Sequence, residues 1–242
     1  MTLSRRLAAE ALGTAFLLAV IVGSGIMGER MAAGNAAITL LANSIATGCG
    51  LWVLITLFAP ISGAHFNPAV TLALASAGEF AWLDVLPYVL TQIAAAFAGV
   101  AAAHLMFELP LFTASEHARA GPHQWWSEGV ATAGLLLTIW LGALAGPKWV
   151  AGLVAAYITG AYWFTASTSF ANPAVTLARA ATNTFAGIRP SDVPGFIVAE
   201  IVAALIATFI ARWFYRASTS PSQASSDRNA EADDHAIGDP LQ

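Results

Sequence analysis

Apolar residues dominate six stretches of the chain, at about 8–27, 37–59, 83–106, 126–145, 150–168 and 194–216. Each is long enough to cross a bilayer as a helix, which takes about 20 mostly apolar residues. Two further apolar pieces, about 67–77 and 172–184, are too short to span. Each begins at Asn-Pro with the same seven letters, NPAVTLA, and follows a loop rich in Gly, Ser or Thr. Asn is a good N-cap and Pro suits the first helical turn, so each copy predicts the start of a half-length helix.

The polar exceptions repeat as well. "AAEALGTAFLLAVIVGSGI" in the first stretch resembles "WSEGVATAGLLLTIWLGAL" in the fourth, and the shared point is a glutamate, Glu10 and Glu128, two or three residues into the expected helix. Each half then reads helix with Glu, helix, half-helix, helix. Three full helices per half is an odd number, so the halves must enter the membrane from opposite sides. This predicts an inverted repeat of about 5–107 and 125–216. Residues 1–216 form one transmembrane domain in this reading. The polar, acidic segment 217–242 predicts a disordered cytoplasmic tail.

Composition agrees with a membrane chain. The 242 residues are 57% hydrophobic and 10% charged, with mean hydropathy +0.68, where a soluble domain carries about 25% charged residues. The net charge of −4 lies largely in the tail. Arg5, Arg6, Lys148, Arg212, Arg216 and Arg228 fall on one side, and Arg30, Arg119, Arg179 and Arg189 on the other. The first side reads as cytoplasm and holds both termini. The N-terminal run superficially fits a signal peptide, but it is long enough to span and carries the repeated Glu. A single cysteine, Cys49, excludes an intramolecular disulfide and a thiolate metal cluster. No nucleophile–base pair, phosphate loop or metal-ligand spacing supports an enzyme or a cofactor; His104, His117 and His123 read as helix-end or loop residues.

Irregular backbone at membrane depth survives only where it is buried or lines a water-filled path. Two inverted half-helices would meet tip to tip near the midplane, each N-terminus carrying about half a positive charge. That places Asn67, Pro68 and Ala69 beside Asn172, Pro173 and Ala174. The asparagine amides can donate to a passing oxygen, while the combined positive ends repel protons and cations. The physics describes a passive pore for neutral, hydrogen-bonding solutes. Glu10 and Glu128 read as braces that accept N–H groups of the loops before each half-helix, since an unpaired membrane carboxylate is expensive. Gln92 reads as a third brace.

The paired NPA motifs, the helix-borne glutamates and "SGAHFNPAVT" resemble the aquaporin and aquaglyceroporin family, the major intrinsic proteins, over about residues 5–216. The resemblance implies an all-α aquaporin-like bundle of six transmembrane helices plus two re-entrant half-helices, one pore per subunit, and a homotetramer in the cell's inner (plasma) membrane. It also implies a second constriction beyond the NPA tips. Carried over by spacing, its four positions are Thr47, Gly160, Ser169 and Val175. Water-selective members usually have a bulky aromatic, a His, a small residue and an Arg there. Here no aromatic, His or Arg remains, so the expected filter is wide and uncharged. His65 matches a family histidine that packs in or lines the cytoplasmic vestibule. Arg179, one turn beyond Val175, reads either as a displaced charge in the outer vestibule or as an arginine snorkelling to the interface.

A bacterial subgroup of the family replaces the filter Arg with an aliphatic residue, and some of its members are associated with arsenic resistance. "NPAVTLARAATNTFAGIRPSDVPGFIVAE" is similar to its second half-helix and following loop. This implies passage of arsenite, methylated arsenicals and glycerol-like polyols. A water channel, a proton-coupled secondary transporter using Glu10 and Glu128, and a non-conducting membrane protein are the competing readings.

Overall fold

The computed structural model describes residues 1–218. Its helices are α1 (Leu3–Met31), α2 (Ala36–Ser62), α3 (Pro68–Ala77), α4 (Trp82–Met106), α5 (Pro122–Ala145), α6 (Pro147–Phe164), α7 (Pro173–Arg179) and α8 (Val193–Ser218), the last preceded by a 3-10 turn, Pro190–Asp192. No strand occurs among the described residues. The chain divides into two units, Met1–Thr208 and Phe209–Gln242. The residues of the candidate site lie in the first. Of the tail expected from 217, residues 219–242 lie outside the described residues, and α8 itself continues through Ser218.

Asparagine and proline fix several helix starts. The Asn35 side chain caps α2 by accepting from the amides of Ala37 and Ile38. Asn67 and Asn172 cap α3 and α7 in the same way, each followed by Pro in the first turn. Proline also opens α5 and α6, at Pro122 and Pro147, where its missing N–H costs nothing. Two expectations shift. α1 begins at Leu3, so Glu10 lies in its third turn rather than near its start. α7 stops at Arg179, because the carbonyls of Ala180 and Ala181 accept instead from Ser115 and Thr113 of the α4–α5 loop.

Five helical segments are long and apolar enough to cross a membrane: α1, α2, α4, α5 and Pro190–Phe214. A sixth was expected from 150–168. It corresponds to α6, which has 18 residues; Lys148, Thr159 and the tyrosines Tyr157 and Tyr162 make it less apolar than the others. Large apolar side chains such as Trp52, Leu57, Leu83 and Trp126 face outward, as lipid contact requires.

Close backbone approach puts the short helices at the centre. α1 packs on α2 and α4, α6 on α2 and α5, and α3 on α4 and α7. At the α1–α4 crossing a Cβ on Gly99 would sit 2.2 Å from the Ala15 carbonyl oxygen. A Cβ on Gly13 would sit 2.0 Å from the Phe66 ring, which packs against α1 just before the first NPA. Only glycine lets these elements meet there.

Candidate functional site

Each half-helix is preceded by a loop held in an unusual shape. Ala64 and Phe66 have φ of 51° and 49°, and their counterparts Ser169 and Ala171 have 53° and 49°. Each such residue costs about 1–2 kcal/mol unless its surroundings hold it. The glutamates do the holding. Glu10 Oε1 accepts from the Ser62 hydroxyl at 2.7 Å and the His65 amide at 2.9 Å, and its Oε2 from the Phe66 amide at 2.7 Å and Gln92 Nε2 at 2.9 Å. Glu128 Oε1 accepts from the Phe170 amide at 2.9 Å, and its Oε2 from the Ala171 amide at 2.7 Å. Ser167 bonds to the Glu128 carboxylate as Ser62 does to Glu10. The bonds repeat at matching distances from each NPA asparagine.

The tips then lock together reciprocally. Asn67 Nδ2 donates to the Ala171 carbonyl at 2.7 Å, and Asn172 Nδ2 donates to the Phe66 carbonyl at 2.8 Å. Each Oδ1 is occupied by its own cap, from Ala69 at 2.8 Å and from Ala174 at 3.0 Å. An amide NH2 has two protons, so one N–H per asparagine is left for the cavity that both residues line. Pro68, Ala69, Pro173 and Ala174 are buried and build the tips.

A cavity runs past the tips, and the helices that line it contribute residues four apart, as one helical face must. α1 gives Leu17 and Ile21, and α5 gives Leu135 and Ile139. α2 gives Thr47, Leu51 and Ile55, and α6 gives Val150, Val154, Ile158 and Tyr162. α3 gives Val70 and Leu74, and α7 gives Val175 and Arg179. Seven residues past its asparagine, the first half has Leu74 and the second has Arg179. One mouth is therefore apolar at this level and the other carries a cation.

The cavity lining beyond the tips differs from the expectation at one position. Thr47, Ser169 and Val175 line the cavity, but Gly160 does not. It lies on the exposed side of α6, with nothing within 4 Å of where its Cβ would stand. The lining positions of α6 step by four to Tyr162, and Gly160 falls between steps. The Tyr162 hydroxyl is 3.2 Å from Thr47 Oγ1. An aromatic thus reaches the cavity from a position that spacing did not select, Tyr162, and an arginine from the position one turn beyond Val175. Arg179 is 2% exposed and does not snorkel. Its guanidinium lies 3.4 Å above the centre of the Phe170 ring, and its Nε donates to the Ala186 carbonyl. Arg119, from the α4–α5 loop, lies 5.0 Å from the same ring centre and donates to the carbonyls of Gly187 and Ser167 at 2.9 and 3.1 Å.

On the other side of the tips His65 lines the cavity, its Nδ1 3.0 Å from Thr71 Oγ1. Gln92 donates to Thr71 Oγ1 at 3.0 Å as well as to Glu10. Glu200, a buried residue of α8, was not anticipated from the sequence. Its Oε1 accepts from the Asn172 amide at 3.1 Å and the Thr176 hydroxyl at 2.6 Å. The signal was available: Glu200 follows the second NPA at nearly the distance at which Gln92 follows the first. No cluster of potential metal ligands exists among the described residues.

Comparison with known proteins agrees with this geometry. Residues 1–166 match the model of the family described as Major intrinsic protein. The chain is 53% identical over 228 residues to aquaglyceroporin AqpS of Rhizobium meliloti (strain 1021), covering 92% of this chain and 97% of that protein. It is 38% identical over 104 residues to a probable glycerol uptake facilitator protein of Thermotoga maritima, covering 41% and 42% of the two chains. The X-ray structure of the aquaglyceroporin from Plasmodium falciparum superposes with a TM-score of 0.68 at 20% identity, covering 88% of this chain and 96% of that one, which is a likeness of fold. With two half-helix tips meeting in one membrane-depth cavity, the chain belongs to the major intrinsic protein family, whose members are passive membrane channels and not enzymes.

Proposed function

We propose that this channel conducts small uncharged solutes bearing hydroxyl groups, with glycerol-like polyols, arsenous acid and methylated arsenicals as its cargo. The observation that carries the reading is the two-sided lining beyond the NPA tips. Thr47, Tyr162, Ser169 and Arg179 offer polar groups, while Val175 and Ile158 are apolar. A polyol, or an arsenical with hydroxyls and a methyl group, presents the same two faces. The half-helix N-termini and Arg179 place positive potential along the path, which disfavours cations and protons. Arg179 and Tyr162 are tied back to the wall, by Phe170 and Ala186 and by Thr47 respectively. That leaves Val175, in place of a longer cation, beside the second tip.

Tyr162 and Arg179 also favour a second reading, a narrower pore for water. The exchange Val175→Arg with Arg179→Val separates the two in proteoliposomes. It moves the cation one turn toward the tips and should lower glycerol and arsenous acid flux more than water flux. Equal effects on all solutes would remove these residues from selectivity. In this proposal the halves 5–107 and 125–216 are inverted repeats, both termini are cytoplasmic in the inner membrane, and four chains associate, one pore in each.

A further inference from the structure

The two halves brace their loops by the same plan except at one place. In the first half, the residue that completes the brace is an amide: Gln92 Nε2 donates to Glu10 Oε2. In the second half that place is taken by Glu200. Its Oε1 accepts from Asn172 and Thr176, but its Oε2 is buried and meets no donor. The carboxyls of Glu128 and Glu200 lie within side-chain hydrogen-bonding reach of one another, as expected when they accept from the consecutive amides Ala171 and Asn172.

Two ionised carboxylates in this contact would both be acceptors, with nothing between them to donate. The nearby cations do not resolve this. Arg179 and Arg119 feel the field of Glu128, and Arg179 that of Glu200. Yet the ion pairs Arg6–Asp84 and Arg189–Asp192 involve neither of these arginines and neither glutamate. Tyr162 faces Arg179 from α6, with its hydroxyl on Thr47. Two buried like charges in contact are strongly unfavourable. One proton between them removes the repulsion and supplies the missing donor.

We propose that Glu200 is held as a neutral carboxylic acid whose Oε2–H donates to the Glu128 carboxylate, doing in the second half what the Gln92 amide does in the first. Glu128 is the anion of the pair because it accepts two backbone N–H groups and Ser167. Glu200 is then a positioning residue for the second NPA tip. Its proton fixes the carboxylate that holds Phe170 and Ala171, and through its other oxygen it holds Asn172 directly.

The assignment rests on the channel reading only where flux is measured. The primary test is infrared spectroscopy of the purified, reconstituted channel at neutral pH. A carbonyl stretch of a protonated, buried carboxylic acid is expected, and it should disappear in Glu200→Gln. Glu10, with four donors, contributes no such band. The melting temperature should fall in Glu200→Ala and be restored in Glu200→Gln, whose amide can donate like Gln92. Glu128→Gln should fall, because it turns a donor toward the loop amides. Glycerol flux per unit of protein added should follow the same order, because fewer molecules of the weaker variants are folded. Absence of the band from the wild-type protein would overturn the assignment, and so would its survival at full strength in Glu200→Gln. A tolerated Glu128→Gln beside a Glu200→Gln that fails to fold would overturn it as well. The infrared and melting results hold whichever solute passes, so a failed solute assignment leaves them intact.

Discussion

Replacing Glu10 by Gln tests whether the membrane carboxylates are braces or transport groups. The carboxylate accepts four hydrogen bonds, two on each oxygen. A glutamine keeps one oxygen and turns the other into a donor. If the amide nitrogen faces Ser62 and His65, the serine hydroxyl can rotate to accept, and the His65 N–H loses its acceptor. If it faces Phe66 and Gln92, the Gln92 amide can flip, since its Oε1 has no partner, and the Phe66 N–H loses its acceptor. Either way one buried backbone N–H is orphaned, at about 1–3 kcal/mol, and the remaining bonds lose their charge assistance, at a further ~1 kcal/mol or more. The sum, about 2–4 kcal/mol, is a large part of a total stability of about 5–15 kcal/mol. Thermal unfolding in detergent should show a lower melting temperature for Glu10→Gln. Stopped-flow glycerol uptake per folded, reconstituted channel should stay near wild type. A variant that melts like the wild type but has lost proton-driven accumulation would refute the brace and make Glu10 a coupling group.

Other consequences follow from the same geometry. Gly13→Ala should destabilise the channel by about 1–3 kcal/mol, as overpacking does, because its Cβ would meet the Phe66 ring at 2.0 Å; a melting temperature unchanged from wild type would contradict that contact. Val175→Arg alone sets a second guanidinium roughly 6 Å from Arg179, a repulsion of about 3 kcal/mol at an effective dielectric of 20. It should therefore unfold more readily than the double exchange that keeps one cation, in side-by-side thermal melts. In the α4–α5 loop, partial burial and the Arg119 guanidinium hold His117 below its ordinary range. A histidine whose folded form resists protonation contributes stability that is present above its unfolded pKa and lost as pH falls. Melting temperature should decline on acidification below about pH 6.5, and less steeply in His117→Gln.

Much of this site was legible because membrane burial restricts what a chain can do. Two Asn-Pro starts on helices too short to span had to be capped, buried and brought together. Two glutamates in apolar helices had to find donors, and the loops supply them. What spacing could not give was the α6 member of the lining beyond the tips. Counting back from Asn172 to α6 passes through Thr168, Ser169 and Ala171, all in left-handed conformations, so residue number no longer reports direction. The lining tyrosine is Tyr162 and not Gly160 for that reason. Arg179 lies on the helix face that its spacing from Val175 predicts, but its rest on Phe170 goes with a bond to Ala186 in the loop 180–187, which no periodicity describes. Glu200 hid in a long apolar helix and becomes visible only when the two halves are compared bond by bond.

The central claim is that small hydroxylated neutral solutes pass this channel down their gradients. The most direct measurement is the rate of glycerol and arsenous acid entry relative to water in the same proteoliposomes, with empty vesicles as the baseline. The account expects both solutes to equilibrate well above the baseline rate and to stop at the external concentration. Fast water movement with neither solute above baseline would contradict it, as would accumulation beyond the external concentration under a proton gradient.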